Sequence, residues 1–174
     1  MKKRKIAVLL MAGMLLTGCM GTNHLKEGVS YLEEKKYEEA KASFQEEIEK
    51  EKHLDEAYRG MGIACFELKE FDEAIDAFET AIENGAEKTG TLYNFLGISN
   101  MRVENYEEAA KAFEKGMNAE DSSDTMKQEM LFNTVISYEE MGEWEQAKEK
   151  LDEYIEQYPG DAKAEREAEF LETR

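Results

Sequence analysis

The chain has 174 residues and a mass of 20.0 kDa, with 22 Lys+Arg against 40 Asp+Glu and a formal net charge of -18. A hydrophobic content of 41% is too high for a disordered acidic tail, and one proline with 12 glycines leaves too few turn residues for an all-β sandwich. The negative balance speaks against nucleic acid as a partner, because phosphate binding needs a positive field, so one mostly helical domain or one short repeat array is expected.

The chain opens with four positive charges, Lys2 to Lys5, followed by an apolar run from Ile6 to Leu16. That run is shorter than the ~20 residues that span a bilayer and has the length of a secretory signal. It ends Leu16-Thr17-Gly18-Cys19. This resembles the lipobox of bacterial lipoproteins, with Leu, Thr and Gly ahead of the family's cysteine. The resemblance implies that residues 1–18 are a lipoprotein signal peptide. It also implies that Cys19 takes a diacylglyceryl thioether and becomes the mature N-terminus. The expected location is the extracytoplasmic face of the cell membrane, lipid-anchored, or the outer membrane in a host with two membranes. Two or more acyl chains would make such an anchor stable. Removing residues 1–18 takes away four of the 22 basic residues and none of the 40 acidic ones, leaving a net charge of -22. Residues 19–22 then form a short tether with no Ser/Gly/Pro-rich stalk, which holds the folded part close to the membrane.

From residue 23 the chain repeats itself. Tyr37-Glu38-Glu39-Ala40, Phe71-Asp72-Glu73-Ala74, Tyr106-Glu107-Glu108-Ala109 and Trp144-Glu145-Gln146-Ala147 are four versions of one motif. Four residues after each alanine stands Phe44, Phe78, Phe113 or Leu151, and twelve before it Gly28, Gly62, Gly97 or Val135. The alanines are 34, 35 and 38 residues apart. A period near 34 built from two helices is the tetratricopeptide pattern. The sequence resembles four tetratricopeptide repeats over residues 23–161, an all-α helix–turn–helix solenoid. Tyr58, Met61, Gly62 and Cys65 lie on one stripe of a first helix, and Phe71, Ala74, Ile75 and Phe78 on one stripe of a second. The glycine and alanine are expected to let the paired backbones approach. The extra residues around Glu87–Thr89 and Asp124–Lys127 are expected in loops between repeats. Residues 162–174 read as a capping helix with Ala164, Ala168 and Leu171 on its apolar face.

No catalytic or metal-binding pattern stands out, and no cofactor is expected. His24 and His53 lack partners at zinc spacing. Asp121-Ser122-Ser123-Asp124 lacks the glycine and terminal glutamate of a calcium loop. Cys65 falls in an apolar helical stretch and reads as a small core residue. The family resemblance implies that the first helix of each repeat lines a concave groove through three positions. Here those positions carry Leu25, Arg59, Asn94 and Phe132; then Val29, Ile63, Ile98 and Ile136; then Leu32, Phe66, Met101 and Glu139. The row is apolar for a surface, which marks either a contact site or packing between neighbouring repeats. An acidic rim is expected around it. The expected function is non-catalytic: an adaptor or assembly factor that binds another envelope protein or peptide. Two other readings stay open, an accessory subunit of an envelope enzyme or secretion machine, and an enzyme with an unrecognised carboxylate site.

Overall fold

The computed structural model describes residues 23–174, and every regular element among them is an α-helix. In chain order these are α1 (His24–Glu33), α2 (Tyr37–Glu49), α3 (Leu54–Glu67), α4 (Phe71–Glu83), α5 (Gly90–Arg102), α6 (Tyr106–Met117), α7 (Asp124–Glu140), α8 (Trp144–Gln157) and α9 (Ala162–Leu171). The expected signal peptide, Cys19 and the expected tether to Thr22 lie outside the described residues. No helix among the described residues is long and apolar enough to cross a membrane.

The first eight helices form four helix–turn–helix units, and the turn inside each unit is built the same way. The first helix ends, and the next residue but one takes the left-handed conformation: Lys35 at φ 58°, Lys69 at 64°, Glu104 at 65° and Gly142 at 74°. The following amide then donates back across the turn, Lys36 to the Tyr31 carbonyl, Glu70 to Cys65, Asn105 to Asn100 and Glu143 to Tyr138, at 2.8 to 2.9 Å. This is a Schellman closure, which satisfies carbonyls that the helix end leaves bare. Three of the four turns force a residue with a Cβ into a region that glycine occupies without strain.

Within a unit, the two helices meet through a ring laid on a glycine. Phe44, Phe78 and Phe113 are fully buried. A Cβ on Gly28 would stand 2.7 Å from the Phe44 ring and one on Gly62 2.6 Å from the Phe78 ring; Gly97 and Phe113 are closer still. The sequence pointed to the alanine twelve residues on as the partner of each glycine. The structure instead places the phenylalanine one turn further along the second helix over the glycine. Ala40, Ala74 and Ala109 are fully buried beside that contact. The fourth unit trades the pair for Val135 and Leu151, both buried. A larger residue on one helix is matched by a smaller one on the other.

Successive units stack through each second helix, which packs on the first helix of the next unit: α2 on α3, α4 on α5, α6 on α7. First helices also touch one another, α1 with α3, α3 with α5 and α5 with α7. The array therefore curves with α1, α3, α5 and α7 on its inner side. Residues 87–89 are irregular, as expected for an insertion. Residues 124–127 are not: they form the first turn of the 17-residue α7. The reason is local. Ser123 caps the helix by accepting from the Met126 amide at 3.3 Å, and Asp124 favours the first turn. Four added residues make about one turn, so the apolar face of α7 stays in phase.

The helix α9 closes the C-terminal end. Asp161 caps it, one carboxylate oxygen accepting from the Lys163 amide at 2.8 Å and the other from the Tyr154 hydroxyl at 2.6 Å. Ala164 and Leu171 are buried against the last unit, and the Lys163 ammonium lies 3.7 Å from the centroid of the Phe132 ring on α7.

Two predictions follow from these contacts. Gly97→Val should cost ~1–3 kcal/mol or more by driving a side chain into the Phe113 ring. Adding Phe113→Leu copies the Val135–Leu151 pairing and should recover part of that loss, so a double-mutant cycle in urea should give a favourable coupling. In the turns, Glu104→Gly should raise the melting temperature through a gain of up to ~1 kcal/mol, and Gly142→Ala should lower it by a similar amount.

Candidate functional site

Three hollows lie along the first helices α1, α3, α5 and α7, the second reaching the α3–α4 turn and sharing Arg102 with the third. The first, of about 350 Å³, lies between α1 and α3 and is lined by Leu25, Lys26, Val29, Leu32, Phe44, Glu56, Arg59, Gly60 and Ile63. The second, of about 330 Å³, is bounded by Phe66, Glu67, Lys69, Phe71 and Arg102. The third, of about 340 Å³, is lined by Ile98, Met101, Arg102, Tyr106, Asn133, Ile136 and Glu140. Each is large enough to take one bulky side chain.

Helical spacing explains why these residues share a face. Leu25, Val29 and Leu32 follow one another at intervals of four and three, as do Arg59, Ile63 and Phe66, and Asn94, Ile98 and Met101. The ring-on-glycine contact occupies the neighbouring face of each first helix, so these positions turn inward. Val29 is 45% exposed, one of two large apolar side chains in the described chain that stand out so far. Leu25, Leu32, Arg59, Ile63, Phe66, Asn94, Ile98, Met101 and Ile136 are half-buried. Phe66 is also part of the packing, with its ring edge-on to Phe95 at 4.8 Å and to Phe71 at 5.8 Å. Ile98 and Met101 rest on the Phe113–Met130 cluster. The side-chain oxygen Oδ1 of Asn94 is buried without a hydrogen-bond partner.

Phe132 corrects the sequence reading. It is 4% exposed, held edge-on against Tyr154 with centroids 5.4 Å apart and covered by Lys163 of α9. A position that would face the groove in an internal repeat is sealed here by the terminal helix. The charge around the groove also departs from expectation. The hollows hold Lys26, Arg59, Lys69 and Arg102 against Glu56, Glu67 and Glu140. This inner face is near balance in a chain with a large acidic excess, so its rim is not acidic. Lys26, Glu56 and Asn133 were absent from the sequence reading. Each lies one helical turn before a position that was read as inward, which is the signal that would have found it.

Other groups with chemical potential are spent on the fold. Burial pushes the Cys65 thiol up to about 11, which leaves it un-ionised at neutral pH. Asp121 accepts from the Gly90 amide at 2.8 Å, and the buried Ser122 hydroxyl donates to the Gly116 carbonyl at 2.6 Å, fixing the loop after α6 onto the third unit. The His53 ring nitrogen Nδ1 sits 2.8 Å from Glu47. Among the described residues no group of three or more His, Cys, Asp and Glu could hold a metal ion.

Two family models, both described as Tetratricopeptide repeat, match residues 25–89 and 129–161, together more than half of the chain. The chain belongs to the tetratricopeptide repeat family. Its four helix pairs are tetratricopeptide units, and α9 is the terminal helix of the array. No curated protein matches it. Among solved structures, YrrB, described as a TPR protein with an unusual peptide-binding site, is similar with a TM-score of 0.74 at 22% identity. The match covers 86% of this chain and 75% of that one. The MamA protein is similar with a TM-score of 0.72 at 16% identity, over 85% of this chain and 78% of the other. At these identities the likeness is one of tetratricopeptide fold.

The exposures separate groove from core by mutation. Val29→Asp should leave stability within about 0.5–1 kcal/mol, because the side chain already meets water. Phe132→Asp should cost several kcal/mol or unfold the last repeat, since it buries a charge beneath α9. Ile98→Asp should fall between the two, because half of that side chain rests on the core. Chemical unfolding of the three variants in parallel checks the order.

Proposed function

We propose that this tetratricopeptide repeat protein is a non-catalytic adaptor or assembly factor of the cell envelope that receives a segment of a partner protein on its concave face. The observation that carries the reading is the row Leu25, Val29, Leu32, Ile63, Phe66, Ile98, Met101 and Ile136, left partly open to solvent on a chain that is otherwise heavily charged. A partly open apolar row on a heavily charged repeat array suits a contact surface. The three hollows suit a partner that offers one large apolar side chain to each. First helices of neighbouring repeats lie ~8–10 Å apart, and a helical partner repeats a face every two turns, ~10.5 Å. An amphipathic helix with anchors seven residues apart would therefore keep step with the hollows. Arg59 and Arg102 at their edges would meet the partner's carboxylates or free carbonyls. The peptide-binding site named for YrrB supports a peptide as the occupant.

The second half of the proposal is location. Lipidation at Cys19 would anchor the array at the extracytoplasmic face of the membrane, four residues from the start of the described fold. Its support is the lipobox-like run Leu16-Thr17-Gly18-Cys19 after a short apolar stretch.

Both halves are open to test in intact cells. A photo-crosslinking residue at Val29 or Ile136 should capture the same partner, while one at Glu107 on the outer helix α6 should not. Val29→Asp together with Ile136→Asp should reduce capture by at least tenfold, since buried apolar anchors carry ~1–4 kcal/mol each. Equal capture from Glu107 would move the interface to the convex side. Cys19→Ser should release the chain from the membrane fraction; retention there with unchanged mobility would overturn the anchor.

A further inference from the structure

The last repeat breaks the apolar row at one position. Where α1, α3 and α5 carry Leu32, Phe66 and Met101, α7 carries Glu139. In an internal repeat this position is covered from the side by the next first helix, as Phe66 is by Phe95 of α5. In the last repeat α9 takes the covering role. Glu139 is thus a carboxylate in a packing position, and its Oε1 atom is buried with no hydrogen-bond partner. The group that α9 brings to bear on it is a second carboxylate, the half-buried Glu167, which acts on it through both charge and hydrogen bonding. Two ionised carboxylates cannot make that contact; one proton between them can.

We propose that Glu139 and Glu167 share a proton across the contact of α7 with α9, and that this proton latches the C-terminal helix onto the array. Its loss frees α9 and uncovers the end of the last repeat, with Phe132, Leu151 and Tyr154. The reading is independent of any partner.

The surroundings bear this out. Burial first, then Glu167, then Glu140 on the same helix, push the Glu139 carboxyl up to about 7. From α6 and α8, the charges of Glu114, Glu149 and Lys150, with Glu143 of the turn, bear instead on Tyr138. Of the α9 cations, Lys163 is engaged over the Phe132 ring, and Arg166 stands next to Glu167 in an exposed position; neither acts on the Glu139 carboxyl. The sign is fixed by the direction of the shift. The docked helix holds the proton more tightly than the free one, so docking is strongest below the ordinary glutamate range. It weakens as the pH climbs from about 4.5 through about 7. The rest of the attachment is the Asp161 cap, the Lys163–Phe132 contact, the Trp144–Phe170–Arg174 cluster and few buried side chains. Among the ten residues of α9 only Ala164 and Leu171 are buried, and a helix of that length does not persist alone.

The measurement is amide hydrogen exchange of the full chain at pH 5 and pH 8, corrected for intrinsic exchange and referenced to α4. Protection of α9 should fall by at least about tenfold between the two, a discounted reading of the shift for a group that still touches water. Trp144, the only tryptophan, packs edge-on against Phe170 with centroids 6.4 Å apart and lies under Arg174. Its emission should shift to the red over the same range. Glu139→Gln should hold α9 protected at both pH values, and Glu167→Gln, made from the other side of the contact, should do the same. Glu140→Gln, which removes only the smallest of the three causes, should keep most of the wild-type response. Protection of α9 that does not change with pH in the wild type overturns the proposal. So does a change that survives in both glutamine variants.

Discussion

The structure depends on a phenyl ring seated on a backbone that has no side chain. Phe44, Phe78 and Phe113 reach from the second helix of a unit to Gly28, Gly62 and Gly97 of the first, at a distance no Cβ would allow. Close-packed interiors transmit such a constraint, because neither ring nor backbone can yield cheaply. The same ring also meets the next unit. Phe44 lies between Gly28 and Gly60, and Phe78 stacks on Phe95 at 5.9 Å with the rings nearly parallel. One side chain thus sets the spacing inside a repeat and the step to the following one. The curvature of the array is the sum of those steps.

The inner face is what remains of each first helix after these demands are met. A helix offers three or four rows of side chains. One row is taken by its own second helix, and another by the second helix of the unit before. The row left over points to the inside of the curve, where neighbouring first helices touch but do not seal it. Leu, Ile and Met on that row are half-buried because they serve both purposes, bracing adjacent first helices and facing the hollow. That double duty explains why their burial is intermediate rather than complete. It also explains why Phe66 can be both a ring in the α3–α5 contact and a wall of the central hollow.

Much of this was legible in the sequence because it is periodic. The recurrence of aromatic, alanine and glycine at fixed offsets reports contacts that every unit makes, and the helical pairs and the inward row follow from it. What was not legible lies where periodicity stops. The phenylalanine rather than the alanine meets the glycine, because the distance across a helix pair depends on how far a ring reaches, which spacing alone does not encode. Residues 124–127 extend α7 instead of forming a loop, because Ser123 supplies a cap that outweighs the expectation that insertions are irregular. Phe132 is sealed because α9, a single helix outside the repeat pattern, lies over it. Each miss concerns a neighbour, not a propensity.

The two ends of the array are therefore unlike in a way that the repeat does not contain. At the N-terminal end α1 has no earlier repeat among the described residues, and Val29 stands exposed at the edge of the first hollow. At the C-terminal end α9 lies across the last unit, so the groove finishes against a polar helix. Among the described residues the inner face is stopped by a helix at one end and not at the other, which gives it a direction, and a bound segment would meet it in one register rather than sliding along identical repeats. Breaks in the repeat strengthen that polarity. Arg59, Asn94 and the covered Phe132 occupy the same position in successive units, each with different chemistry, so the hollows are not interchangeable. A scaffold whose stability comes from sameness thus keeps its differences on the one row that the packing only half uses.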